Sequence, residues 1–194
     1  MPEAQFEPGS RKRVLKNMLG IKSKREMDGI EAQEQLRVLE ELSRIYAIDH
    51  KFTVADISGI HRIWLGKVYE WAGQYRRVNL SKDGFLFAPS NQIPRLMDDF
   101  ENDVLKKYTP CRSSSIKDIA GAIAVVHTEL VLIHPFREGN GRVARILSAI
   151  MALQAGLPSL DFSGVRGKQR KEYFAAVRAG MDRKYELWRR FFTP

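Results

Sequence analysis

The stretch His134-Pro135-Phe136-Arg137-Glu138-Gly139-Asn140-Gly141-Arg142, followed by Arg145, gathers groups that core packing does not ask for. His134 is the side chain in it that can take a proton near neutral pH, and a positioned base contributes about 10²–10⁴-fold to a proton transfer. Glu138 is its one acid, and a carboxylate beside several phosphates is how proteins usually hold Mg2+. Arg142 and Arg145 lie three positions apart, so on a helix they share a face and present two guanidinium forks to phosphate. Gly139 and Gly141 let the backbone turn sharply and approach a ligand, while Asn140 tolerates left-handed geometry and can donate from its amide. Together these residues suit the binding and transfer of a phosphate-bearing group.

Such a loop needs rigid elements on both sides. Ser115, with Asp118 three residues later, caps a helix carrying Ile116, Ile119, Ile123, Val126 and Leu130, and Pro135 stops it from running unbroken through the loop. A second helix starts near Gly141 and reaches Ala155, where Gly156 and Pro158 end it. Its free N–H groups and positive dipole end therefore face the turn, which makes an anion site. Upstream, Leu36, Leu39, Leu42 and Ile45 are spaced for one face of a helix over residues 31–48. Thr53 and Asp56 cap the next, which buries Ile57, Ile60, Trp64, Val68 and Trp71 and stops at Gly73. Ser90 opens one bearing Ile93, Leu96, Met97, Phe100 and Val104, and two more are expected near 168–179 and 182–192.

Residues 77–89 break the helical pattern. Asp83-Gly84 is a strong two-residue hairpin signal, and Val78, Leu80, Phe85 and Phe87 alternate around it. So short a hairpin must lie against the helices, and its open edge is either a liability or a docking place for an extended peptide. The expected architecture is all-α with one small β-hairpin, in a single domain over 13–194 preceded by a flexible arm over 1–12 rich in Pro and Gly.

Composition narrows the class. The chain of 194 residues is 44% hydrophobic and 28% charged, as soluble globular proteins are. Its apolar runs are too short or interrupted to span a bilayer, and its start does not read as a signal peptide. The lone Cys111 excludes an internal disulfide and suits a reducing, cytoplasmic setting. The net charge of +9 could steer the protein to nucleic acid or to a polyphosphate. No recognition-helix pattern and no basic–aromatic sheet supports nucleic acid as a direct ligand. His50, His61 and His127 read as structural.

The nine-residue stretch resembles the signature of the Fic family, His-Pro-Phe-x-(Asp or Glu)-Gly-Asn-Gly-Arg, with Arg145 matching a further family arginine. Residues 60–76 are similar to the family's helix before its flap, 78–88 to the flap itself, and 171–180 to the helix lining the adenine pocket. The resemblance implies a Fic-type helical bundle and a nucleotidyltransferase that moves AMP from ATP to a Tyr, Ser or Thr hydroxyl of a target protein. It implies His134 as base and Glu138 as the ligand of a Mg2+ bridging the α- and β-phosphates. Gly139, Asn140 and Gly141 would form the anion hole, with Arg142 and Arg145 on the phosphates. Ser81 and Lys82, and Tyr173 with Phe174, are further candidates for nucleotide contact, and the edge of 78–88 would take the target as an added strand. Gly141, altered in the kinase-like branch, favours AMP over a single phosphate, with UMP or GMP as other donors. Many members silence themselves with a glutamate four positions after Ser or Thr, and none of the thirteen glutamates here has that spacing. Residues 14–21 resemble the start of toxin-type members, which points to a separate antitoxin that supplies the glutamate.

Overall fold

The computed structural model describes residues 2–113, 115–158, 160, 162, 167–188 and 191. Helix α1 spans Lys24–Ile45, α2 Val54–Leu65, α3 Ile93–Phe100, α4 Lys106–Tyr108, α5 Ile116–Ile133, α6 Asn140–Gln154 and α7 Gly167–Ala179. A π-turn, Glu101–Leu105, joins α3 to α4. Strands β1 (Ser81–Lys82) and β2 (Phe85–Leu86) form the one sheet among the described residues, antiparallel, with Ser81 opposite Leu86. The expected all-α class with one hairpin is therefore what the chain adopts.

The centre is the pair α5 and α6. Ile119, Ile123, Val126 and Leu130 of α5 are buried, and α6 is buried on nearly every side, from Val143 and Ala144 to Met151 and Ala152. A helix apolar all round belongs inside, and here α1 and α2 cover α6 while α3 and α7 cover α5. The six residues between α5 and α6 are thus fixed at both ends by the densest part of the core.

Caps set the boundaries as sequence logic expects. Thr53 and Asp56 form a reciprocal capping box at α2, and the Ser115 hydroxyl accepts from the Asp118 N–H at α5. Asp83 and Gly84 both have positive φ, 50° and 76°, as the tight hairpin requires. Four expectations are corrected. Helix α1 begins earlier, at Lys24, and buries Met27, Glu31, Val38 and Leu42, leaving Leu36 and Ile45 exposed. The buried stripe passes through a glutamate, so counting leucines misplaced it. Helix α2 stops at Leu65, and turns carry Val68 and Trp71 into the core before Gly73. In place of a helix over 182–192, two 3-10 turns occupy Gly180–Asp182 and Glu186–Trp188, and part of that stretch lies outside the described residues. Nor is 2–12 a loose arm: Glu3 Oε1 accepts from the Arg77 N–H at 2.8 Å, its carbonyl accepts from Arg137 at 2.9 Å, and Phe6 bridges Leu15.

No helix among the described residues is long and apolar enough to cross a membrane. Thr53→Ala removes the hydroxyl half of the α2 capping box, leaving the Thr53 N–H on Asp56, and is expected to lower the unfolding free energy by about 1 kcal/mol in a urea titration.

Candidate active site

Residues 134–139 turn the chain from α5 into α6. His134 ends α5 in the left-handed region, φ 55° and ψ 57°, because Pro135 denies the helix its next amide. Asn140, 2% exposed, closes the loop from inside: its Oδ1 accepts from the Phe136 N–H at 2.8 Å and its Nδ2 donates to the Phe136 carbonyl at 2.7 Å. The side chain expected to face a ligand is thus committed to the loop's own backbone. Gly139 has φ 83°, and a Cβ there would sit 2.7 Å from the ring of Trp64, so only glycine fits. His61 supports the loop from α2. Its Nδ1 accepts from the Gly73 N–H at 2.8 Å, so Nε2 carries the proton and donates to the Glu138 carbonyl at 3.1 Å. Its ring stacks on Phe136 at 4.0 Å.

The His134 ring is oriented on both sides. Nδ1 lies 3.0 Å from the Val131 carbonyl, an acceptor, so Nδ1 bears the hydrogen and the lone pair is on Nε2. Phe87, from the hairpin, stacks on the ring at 3.6 Å. Burial pulls its pKa down to about 4, with the Val131 carbonyl opposing, so the imidazole is neutral at pH 7 and ready to accept a proton.

One guanidinium ties hairpin and loop together. Arg76, 1% exposed, donates from Nε to the His134 carbonyl at 2.6 Å and from one terminal nitrogen to Val78 at 2.7 Å. Its other terminal nitrogen serves Ala88 at 2.6 Å and Ile133 at 3.4 Å. Its backbone N–H reaches Pro135 at 2.8 Å. Both ends of the hairpin and both residues flanking the α5 terminus thus share one donor group.

All eleven sequence candidates line a single cavity of about 860 Å³: His134, Glu138, Gly139, Asn140, Gly141, Arg142, Arg145, Ser81, Lys82, Tyr173 and Phe174. At its floor the N–H groups of Asn140 and Gly141 bond to no carbonyl among the described residues, whereas those of Arg142 and Val143 fold back on Gly139. Two such donors at the start of α6 are the geometry that an anion site needs. Arg145 donates from Nε to Gly141 at 3.2 Å and pairs with no carboxylate among the described residues. Arg142 instead bonds Glu31 at 2.6 Å and Glu138 at 3.3 Å, with its guanidinium 4.7 Å over Trp64. Lys82 stands 4.7 Å over the Phe174 ring, and Arg178 donates to the Asp83 carbonyl, so the hairpin tip reaches α7. Tyr173 gives its hydroxyl hydrogen to His127 Nε2 at 2.7 Å, because His127 Nδ1 is turned to Ser148, whose own hydrogen goes to Ala144. The Tyr173 oxygen therefore presents lone pairs to the cavity.

No group of three or more His, Cys, Asp or Glu that could hold a metal ion occurs among the described residues. Glu138, whose side chain is 45% exposed on the cavity, could still provide one carboxylate beside ligand phosphates, the arrangement Mg2+ accepts. Sequence reasoning missed Arg76, Glu31, Trp64 and Phe87. No local signal in the sequence singles out Arg76 or Glu31, whose partners stand 58 and 111 positions away.

Burial also lowers His61 to about 4 and His127 to about 3. Below the ordinary imidazole value of 6.5, the unfolded chain takes up protons that the folded chain refuses at these three positions. Stability is therefore expected to fall as pH drops from about 6.5 towards 4, read as a decreasing urea midpoint between pH 7 and pH 5.

Comparison with known proteins supplies the kinship. The model of the Fic/DOC family matches residues 51–152. The protein adenylyltransferase VbhT of Bartonella schoenbuchensis is 32% identical over 143 residues, covering 74% of this chain but 30% of VbhT. The protein y4lH of Sinorhizobium fredii is 30% identical over 156 residues, covering 80% of this chain and 79% of its own. Among solved structures, the N-terminal Fic domain of a VirB-translocated Bep effector from Bartonella quintana superposes with a TM-score of 0.78 at 28% identity, over 99% of this chain and 91% of that one. A further structure of such a Bartonella quintana domain, with bound ADP, gives 0.76 at 27% identity, over 99% and 94%. A signature complete at every defined position, folded into the loop between two buried helices, thus has its relatives: the chain belongs to the Fic/DOC family.

Proposed function

We propose that this chain is a protein adenylyltransferase that moves AMP from ATP to a Tyr, Ser or Thr hydroxyl of a target protein. One observation carries the reading: the lone pair of His134, the two unbonded N–H groups of α6, Arg142, Arg145 and Glu138 all open on one cavity. The name of VbhT and the ADP held by a similar domain support it.

In this reading the target segment lies along the exposed edge of the hairpin 78–88. The target oxygen attacks the α-phosphorus, its proton passes to His134 Nε2, and the bond from the α-phosphorus to the bridging oxygen breaks, releasing pyrophosphate. The N–H groups of Asn140 and Gly141, with Arg142 and Arg145, carry the charge of the phosphates. Positioning and charge stabilisation are what such transfers chiefly need. Glu138 would hold a Mg2+ that neutralises phosphate charge. Ser81, Lys82, Tyr173 and Phe174 would close on the nucleotide's sugar and base. The setting we propose is the cytoplasm, in keeping with the single buried Cys111.

The proposal extends to restraint from outside. Arg145 meets no carboxylate of this chain among the described residues, which leaves room for a glutamate supplied by a separate antitoxin. The chain alone is then active and toxic on expression.

Incubating the protein with lysate, Mg2+ and ATP labelled at either the α- or the γ-phosphate tests the donor. Label from the α-position alone, with an AMP mass on a target hydroxyl, is expected, and His134→Ala is expected to lower the rate by about 10²-fold or more. Label from γ, or transfer untouched by His134→Ala, would remove the assignment. Arg76→Lys keeps the charge but loses the fork, and is expected to slow transfer by up to about 10²-fold through misplacement of His134 and the hairpin. Growth unaffected by expression of the chain, with no modified protein in the cells, would remove the toxin reading.

A further inference from the structure

Glu31 sits on α1, before the residues matched by the family model, and 111 positions from the arginine it holds. Its side chain is 2% exposed. Oε2 accepts from Arg142 at 2.6 Å, Oε1 accepts from the Tyr69 hydroxyl at 2.9 Å, and its backbone carbonyl accepts from the Trp64 indole at 2.9 Å. Trp64 in turn lies beneath the same guanidinium. Three elements, α1, α2 and the turn after it, therefore converge on the placement of one charged group. Asp28, one turn earlier on α1, also lines the cavity but is paired with Lys24.

A buried ion pair seldom stabilises a fold more than apolar residues of the same shape would, so stability alone does not account for this one. The neighbour at stake is Glu138. It stands four residues before Arg142, the spacing at which unlike charges find each other, and the second terminal nitrogen of Arg142 already reaches it at 3.3 Å. An Arg142 free to turn would close on Glu138 as a bidentate pair. That closure would consume a phosphate ligand and a cavity carboxylate suited to a metal at the same time.

We propose that Glu31 is a positioning residue that holds Arg142 back from Glu138, keeping guanidinium and carboxylate separately available to the phosphates and the metal of a bound nucleotide. Tyr69 holds the second oxygen of Glu31, so the carboxylate cannot rotate to follow the guanidinium. The inference rests on the function proposed above and adds a residue to it from outside the signature.

The test uses the full chain with Glu31→Ala, Glu31→Gln, Arg142→Ala and the Glu31→Ala/Arg142→Ala double variant. Calorimetric titration gives the Kd for ATP with and without Mg2+, and thermal unfolding is recorded alongside. Glu31→Ala is expected to weaken Mg–ATP binding by about tenfold or more, and to weaken it more with Mg2+ than without. The double variant is expected to bind no worse than Arg142→Ala alone, because the two residues act through one group. Glu31→Gln keeps the shape of the site without the charge, and is expected to weaken Mg–ATP binding by about threefold. If the alanine variant does not fold, this one decides. Wild-type affinity in a folded Glu31→Gln or Glu31→Ala protein, with only the melting temperature lowered, would reduce Glu31 to a packing element and overturn the inference. Tighter binding would make it a brake, and would overturn it too. A wild-type chain that binds no Mg–ATP would instead bring down the function itself.

Discussion

Arg76 is a cation sealed from water with no carboxylate in hydrogen-bond contact among the described residues, and its guanidinium is spent on four backbone carbonyls. Burying a charge on these terms is costly unless every donor is used. Its five N–H groups suit the task because the carbonyls arrive from different directions and belong to separate segments. Two lie at the base of the hairpin and two at the end of α5. A hairpin with two-residue strands has little stability of its own, so its base is placed by this group while Lys82 and Arg178 tie its tip to α7. The stack of Phe87 on His134 follows from it, since the hairpin can only present that ring if its base is held.

Around this tie the site is kept rigid by neutral hydrogen-bonding groups with assigned directions. His61 and His134 each have one ring nitrogen fixed by backbone, which leaves the other with a defined role. In His61 that role is to grip the Glu138 carbonyl, and in His134 it is to face the cavity. The same side chain, fully buried at 61 and half-buried at 134, ties down the loop in one place and turns a lone pair to the cavity in the other. What separates them is whether the second nitrogen meets protein or open space.

Much of this was legible beforehand. The 134–145 stretch carries its chemistry in its residue types, and the caps at Thr53 and Ser115 and the Asp83-Gly84 turn act over three or four residues, where local rules suffice. Glu31 and Arg76 were not legible, because their meaning lies in partners 111 and 58 positions away. A glutamate on a helix is by default a solvated one, and nothing in its neighbours announces that an arginine from α6 will cover it. Asn140 shows the reverse error. Its residue type allowed ligand binding, and only the closeness of the Phe136 backbone reveals that both amide atoms are already engaged. The leucines of α1 misled for a related reason, since the buried stripe is chosen by what packs against it.

The missing Cβ at Gly139 and the indole of Trp64 occupy one space, although the two residues stand on different elements. In a library of random variants neither position could drift alone: any side chain at 139 would need a smaller ring at 64, and a smaller ring would also withdraw the aromatic face from Arg142 and the indole donor from Glu31. Compensation at one contact would open a fault at two others. Substitutions there should consequently be absent from surviving sequences even in pairs, a tighter covariation rule than contact distance alone would impose.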